Sequence, residues 1–193
     1  NKGKIMSKFF KMKKGKGFSL LELLLVLGII AALIVAAFIV YPKVRTSQAV
    51  DAEAKNIATI RSGILALYAS QATIAGNINN TIAINANIFP ENMLQKSGNT
   101  VTGVVNSFGG KVTLSATNWV SFGKVVANVQ YDNVPKDVCV KLITAVGPTM
   151  EIIAVGSYWA KNEMANVSYS VSNTADVCDK ISGENGTITF SFQ

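Results

Sequence analysis

Glu22 is a carboxylate at the head of an apolar run, and it is the residue of this chain whose position asks most for a chemical reason. From Leu23 to Tyr41, 19 residues in succession carry no charge, and 13 of them are Leu, Ile, Val or Phe. An ionisable group against such a segment is by default functional and needs a partner, for which a nearby amine is the natural choice. The simpler role is a charge in the first turn of a helix, favoured by the dipole and reaching to a headgroup layer. Other reactive side chains are few. The chain has no histidine, which excludes a Ser-His-Asp triad, a Cys-His pair and a histidine-ligated metal. Asp176 and Asp179 near Glu184 are the carboxylates that could gather round a cation, although loop carboxylates are ordinarily solvated. No catalysis, cofactor or metal is therefore expected.

The segments around Glu22 supply the setting. Lys2, Lys4, Lys8, Lys11, Lys13, Lys14 and Lys16 all fall within the first 17 residues, where there is no acid. The whole chain has 18 Lys+Arg against 11 Asp+Glu, so the rest of it is formally neutral. The basic balance thus describes a leader, and no specific nucleic-acid face is expected. At 1.5 Å per residue the apolar run spans just under about 30 Å, the hydrocarbon thickness of a bilayer. Its large apolar residues contribute roughly −4 to −8 kcal/mol to insertion, against about +3 for one carboxylate, so insertion wins. The lysines keep the N-terminus cytoplasmic and send the remainder outward.

Three readings of this segment compete. A secretory signal could be cut near Val35-Ala36-Ala37, but the run is too long and continues past that point. A plain single-span anchor explains length and orientation and leaves Glu22 without a purpose. A cut between Gly17 and Phe18 instead keeps the apolar run on the mature chain. It creates an α-amino group at Phe18, about one helical turn from Glu22, which an axially staggered neighbour could offer to this carboxylate.

Lys16-Gly17-Phe18-Ser19-Leu20-Leu21-Glu22 with the apolar helix behind it resembles the class III leader and N-terminal segment of type IV pilins and type II secretion pseudopilins. The resemblance implies cleavage by a prepilin peptidase after Gly17, N-methylation of Phe18, and an assembly role for Glu22.

Beyond Pro42 the helical period continues. Val50, Ala54, Ile57, Ile60, Ile64, Leu67 and Tyr68 form one stripe, with Asp51, Glu53, Lys55, Asn56 and Arg61 between them. A helix from Phe18 to about Ser70, roughly 80 Å long, is expected, with a kink or break near Ile39 to Pro42. Residues 73–110 read as a connecting loop with one short turn near Glu91 to Gln95; within it Asn79-Asn80-Thr81 fits the glycosylation sequon, a weak signal. Strands are expected at Lys111–Ala116, Lys124–Tyr131, Ile152–Tyr158, Val167–Val171 and Thr187–Phe192. Between the second and third, Pro135 to Gly147 reads as a helix with Cys139, Leu142, Ile143 and Val146 on one face.

Cys139 and Cys178 are the only cysteines, and in an exported domain a bridge between them is expected. Cys139 to Gly147 is similar to the first-cysteine helix of type IVb pilins, the toxin-coregulated, bundle-forming and conjugative thin-pilus group. The expected fold is α+β, the type IV pilin fold, with a long N-terminal helix packed against an antiparallel sheet. Its expected divisions are a leader at 1–17, an apolar half-helix at 18–42, an amphipathic half at 43–72, the loop at 73–110 and a sheet at 111–193 with a bridged region at 139–178. The implied function is that of a major structural subunit, held in the inner membrane as a precursor and then assembled by pilus machinery into an extracellular helical filament. A minor pilin or pseudopilin is the first alternative and a membrane-anchored periplasmic binding protein the second.

Overall fold

A computed structural model describes residues 19–69, 77–119 and 123–193. Two compact units divide at Lys43/Val44, and one helix, α1 (Leu20–Leu67), contributes to both. The backbone is helical without a break through Pro42, so of the expected kink or break the break does not occur.

The second unit is built on the amphipathic half of α1. Val50, Ile57, Ile60, Ile64 and Tyr68 are buried, while Leu67 at the stripe's edge stays exposed. Their spacing of three and four turns one face inward. The segment expected to be a loop has structure of its own. A short helix, α2 (Asn80–Asn85), is capped by the Asn79 side chain, which accepts from the amide of Ile82. After a 3-10 turn at Glu91–Met93, β1 (Leu94–Ser97) and β2 (Thr100–Val104) form an antiparallel hairpin.

The main sheet has five strands: β3 (Val112–Trp119), β4 (Lys124–Pro135), β5 (Ile152–Val155), β6 (Tyr158–Asn162) and β7 (Asn185–Phe192). Their order is β3-β4-β7-β5-β6, antiparallel throughout. The expected single strand Ile152–Tyr158 is in fact a hairpin, because Gly156 adopts φ +56° and Val155 pairs with Tyr158 across Gly156-Ser157. A two-residue turn of this kind needs a positive φ, which glycine adopts without strain. Helix α3 (Lys136–Val146) follows β4 directly. The expected strand Val167–Val171 is also corrected. Val167 makes only an isolated bridge to Asn162, and Ser170 then caps a helix, α4 (Val171–Asp179), by accepting from the amide of Asn173.

One apolar core joins these elements. It takes Ile57, Ile60 and Ile64 from α1, Leu142 and Ile143 from α3, and Tyr131, Phe190 and Phe192 from the sheet.

Candidate functional site

The apolar half of α1 is a surface before it is anything else. Leu20–Phe38 has a mean hydropathy of 2.9 and none of it is buried within the chain. Leu20, Leu33 and Phe38 are 76%, 65% and 75% exposed. An apolar patch on this scale demands lipid or another protein surface. Glu22 lies in the first turn of α1, exposed, where a negative charge complements the free amides of the helix start. Gly17 and Phe18, the expected cleavage and methylation positions, lie outside the described residues.

The second unit carries the cysteine pair. Cys139 of α3 and Cys178 of α4 form a disulfide, with Cα atoms 5.9 Å apart. Both residues are buried, and the inward face of α3 is Cys139, Leu142, Ile143 and Val146, as its spacing implied, with Val138 beside them. The bridge therefore fixes α4 to α3.

The carboxylates near Cys178 do not gather round a cation. Asp176 pairs with Lys180 at 2.7 Å and Asp179 with Lys136 at 2.9 Å. The hydrogen bond from Lys136 holds the Asp179 carboxyl below its usual range, and the bond to Asp176 raises the Lys180 ammonium. Among the described residues no group of three potential metal ligands converges. A groove of about 670 Å³ along α1 is lined by Ala58, Ser62, Gly63, Ala66 and Ile88 among others, and no titratable side chain borders it.

Sequence reasoning placed Glu53 on the polar side of α1, but it is fully buried. Its carboxylate accepts from the Ser107 amide at 2.7 Å, from the Ser107 hydroxyl, and from Asn56 at 3.2 Å. Asn92 in turn donates to Asn56 at 3.3 Å. Glu53 thus pins the 105–110 loop to α1. That loop is tightened by Asn106, whose side chain accepts from the Phe108 and Gly110 amides and donates to the Asp132 carbonyl. A side chain at Gly110 would collide with that same carbonyl, so only glycine fits. Next to this network the Tyr131 hydroxyl is buried without a hydrogen bond of normal geometry. Burial pushes its phenol well above the usual range, and the charge of Glu53 and the phenol's close approach to that carboxylate add to the shift. No local signal marks Glu53, since Asn56 is an ordinary helical neighbour and Ser107, which ties the carboxylate to the loop, is 54 positions away.

A helix beginning at the methylation-type segment, continuing as the spine of a bridged sheet domain, has counterparts among known proteins. Residues 12–38 match the prokaryotic N-terminal methylation motif, and residues 47–193 match the family described as PilS N terminal. The major structural subunit of bundle-forming pilus from Escherichia coli O127:H6 (EPEC) is 28% identical over 141 residues, covering 72% of this chain and 69% of that one. The protein of the same description from Escherichia coli O111:H- gives the same values. In fold, the type IV b pilin from Salmonella typhi superposes with a TM-score of 0.57 at 15% identity, covering 72% of this chain and 97% of its own. TcpA, a type IV pilin from Vibrio cholerae El Tor biotype, superposes with a TM-score of 0.57 at 11% identity, covering 76% and 99%. The chain belongs to the PilS family and is a type IV pilin with the type IVb fold.

Proposed function

We propose that this chain is the major structural subunit of a type IVb pilus. The observation that carries the reading is the apolar stretch Leu20–Phe38, none of it buried, on the same helix that forms the spine of the bridged domain. A subunit of this form rests in the inner membrane by its apolar half. In a filament the same half packs against copies of itself, so the surface that lipid covered is covered by protein. The similarity to the bundle-forming pilus subunit supports a major role over a minor one.

In this reading a prepilin peptidase removes residues 1–17 after Gly17 and Phe18 becomes the methylated N-terminus. Glu22 receives the Phe18 amine of a neighbour as the subunit enters the filament, which sets the axial stagger. The test is deletion of this chain followed by imaging of the cell surface. Loss of every filament supports the major subunit; filaments that persist in altered number or length assign a minor role.

A further inference from the structure

The five-stranded sheet ends in β3 on one side and β6 on the other, and an edge strand invites pairing with another chain. Both edges are occupied by asparagine side chains. On β3, the Asn80 side chain donates to the Val112 carbonyl at 2.8 Å and accepts from the Leu114 amide at 2.6 Å. These are the two groups that a residue of an added strand would engage. On β6, Asn173 donates to the Ala160 carbonyl at 2.9 Å and the Trp159 carbonyl at 3.2 Å. The register slips at this point of the β5–β6 pair, which distorts the edge further. The next residue facing outward, Asn162, exchanges both backbone bonds with Val167 at 2.8 Å. Along β3 the stretch left open among the described residues is at Ala116 and Asn118, too short to seat a strand of ordinary length.

We propose that Asn80 and Asn173 are edge guards that prevent a second copy of this chain from adding its strand to the sheet, so that ordered association is left to helical surfaces. The occupant they exclude is an identical copy, because identical segments stack in register with every backbone group paired. The guards sit on α2 and α4, and the Cys139–Cys178 bridge holds α4 against α3. The disulfide therefore also keeps Asn173 over its edge. The inference stands on the sheet alone and does not depend on the filament reading.

The test uses the full chain in detergent micelles, comparing wild type with Asn80→Ala, Asn173→Ala and the double variant. Ile57→Val serves as a control that loosens the core without opening an edge. Thioflavin T fluorescence and the roughly 4.7 Å fibre reflection report cross-β growth, and urea midpoints report folding. Each guard makes two hydrogen bonds to its edge, so losing one guard raises the open-edge population by roughly thirtyfold, and cross-β growth is expected to rise by that order over the control. Val112 and Leu114 turn their bonding groups toward Asn80, so Ala116 two residues on turns its amide the same way. Ala116→Pro removes that amide and is expected to return Asn80→Ala to the control rate. If Asn80→Ala loses its folded transition, Asn80→Asp is the variant to read. It keeps the acceptor for Leu114 and adds a charge to the edge, and it is expected to stay dispersed. Growth of the alanine variants no faster than Ile57→Val, no rescue by Ala116→Pro, or aggregation of Asn80→Asp as fast as Asn80→Ala overturns the proposal.

Discussion

Tyr131→Phe separates burial from bonding in the core of the head. The Tyr131 ring is fully buried and meets Phe190 edge-on, with centroids 5.9 Å apart and planes at 83°. Its hydroxyl makes no hydrogen bond of normal geometry, while the Glu53 oxygens nearby are already accepting from Ser107 and Asn56. Folding therefore raises the phenol above its ordinary value of 10.0, mainly by burial. Between that value and the folded one, the unfolded chain has released a proton that the folded chain retains. Stability is then fully present below pH 10 and declines above it, by about 1.4 kcal/mol for each pH unit. From pH 10 to 11.5 the loss from this one group is about 2 kcal/mol, a large part of a typical total of about 5 to 15.

Tyr131→Phe keeps the ring and the contact with Phe190 but removes the titrating group. At pH 7 the variant is expected to lie within about 1 kcal/mol of wild type, since the hydroxyl removed is buried and its interaction with Glu53 falls outside normal hydrogen-bond geometry. Above pH 10 the gap widens with pH as wild type declines. The assay is urea unfolding of the full chain in micelles, followed by tryptophan fluorescence at steps from pH 7 to 11.5. Lysines that neutralise in this range do so in both proteins and cancel in the difference. Parallel stability curves for the two proteins, or a variant weaker by more than about 1 kcal/mol at pH 7, would refute the reasoning.

Glu53→Ala removes the charged acceptor of the Ser107 amide and hydroxyl and of the buried Asn56 side chain, and a loss of about 2 to 3 kcal/mol in urea midpoint analysis is expected. Cys139→Ser opens a closure of 39 positions, worth about 4 kcal/mol in the chain-entropy account, and is expected to lower subunit levels in the cell; native material whose two thiols alkylate freely would deny the bridge. Mass spectrometry of surface filaments is expected to find a chain beginning at Phe18, one methyl heavier than the unmodified peptide. Glu22→Val is expected to insert and be cleaved normally, yet yield few filaments, because the neighbour's amine is left unpaired at a cost of about 3 to 5 kcal/mol. Abundant filaments at wild-type subunit levels would end the pairing role.

Much of this architecture is legible wherever one segment settles its own geometry. The apolar run and the stripe Val50, Ile57, Ile60, Ile64 announce α1 because burial on one helical face needs no distant information. The inward face of α3 is readable for the same reason. Misreadings arise where two local patterns coincide. Ile152 to Tyr158 alternates like one strand, although Gly156-Ser157 is a hairpin signal within it. Val167 to Val171 alternates too, but Ser170 offers its hydroxyl to the Asn173 amide and starts a helix instead. Glu53 and the two guarding asparagines were hidden for a different reason. Each is a polar residue on a helix, ordinarily a solvated one, and the contact that gives it its role lies 54, 32 or 13 positions away. Such roles exist only after the chain has folded back on itself.

The position of β7 makes the head dependent on its last segment. This strand follows every other strand in sequence, yet it lies at the centre of the sheet, pairing with β4 through Ala127–Phe192 and with β5 through Ile152–Ser191. Phe190 and Phe192 enter the core from it, both fully buried. Until β7 arrives, β4 and β5 each present an open inner edge, and the hairpins β3-β4 and β5-β6 are two separate pieces, each marginal by itself. Closing the sheet is thus a non-local step with the loop-closure entropy that implies. The disulfide between α3 and α4 shortens that search, because α4 ends only a few residues before β7 and is tied to the helix that follows β4. Once the bridge forms, β7 is delivered next to the gap it fills. Loss of the bridge is therefore expected to slow sheet completion as well as to lower final stability, and to prolong the interval in which the inner edges of β4 and β5 are open to other chains.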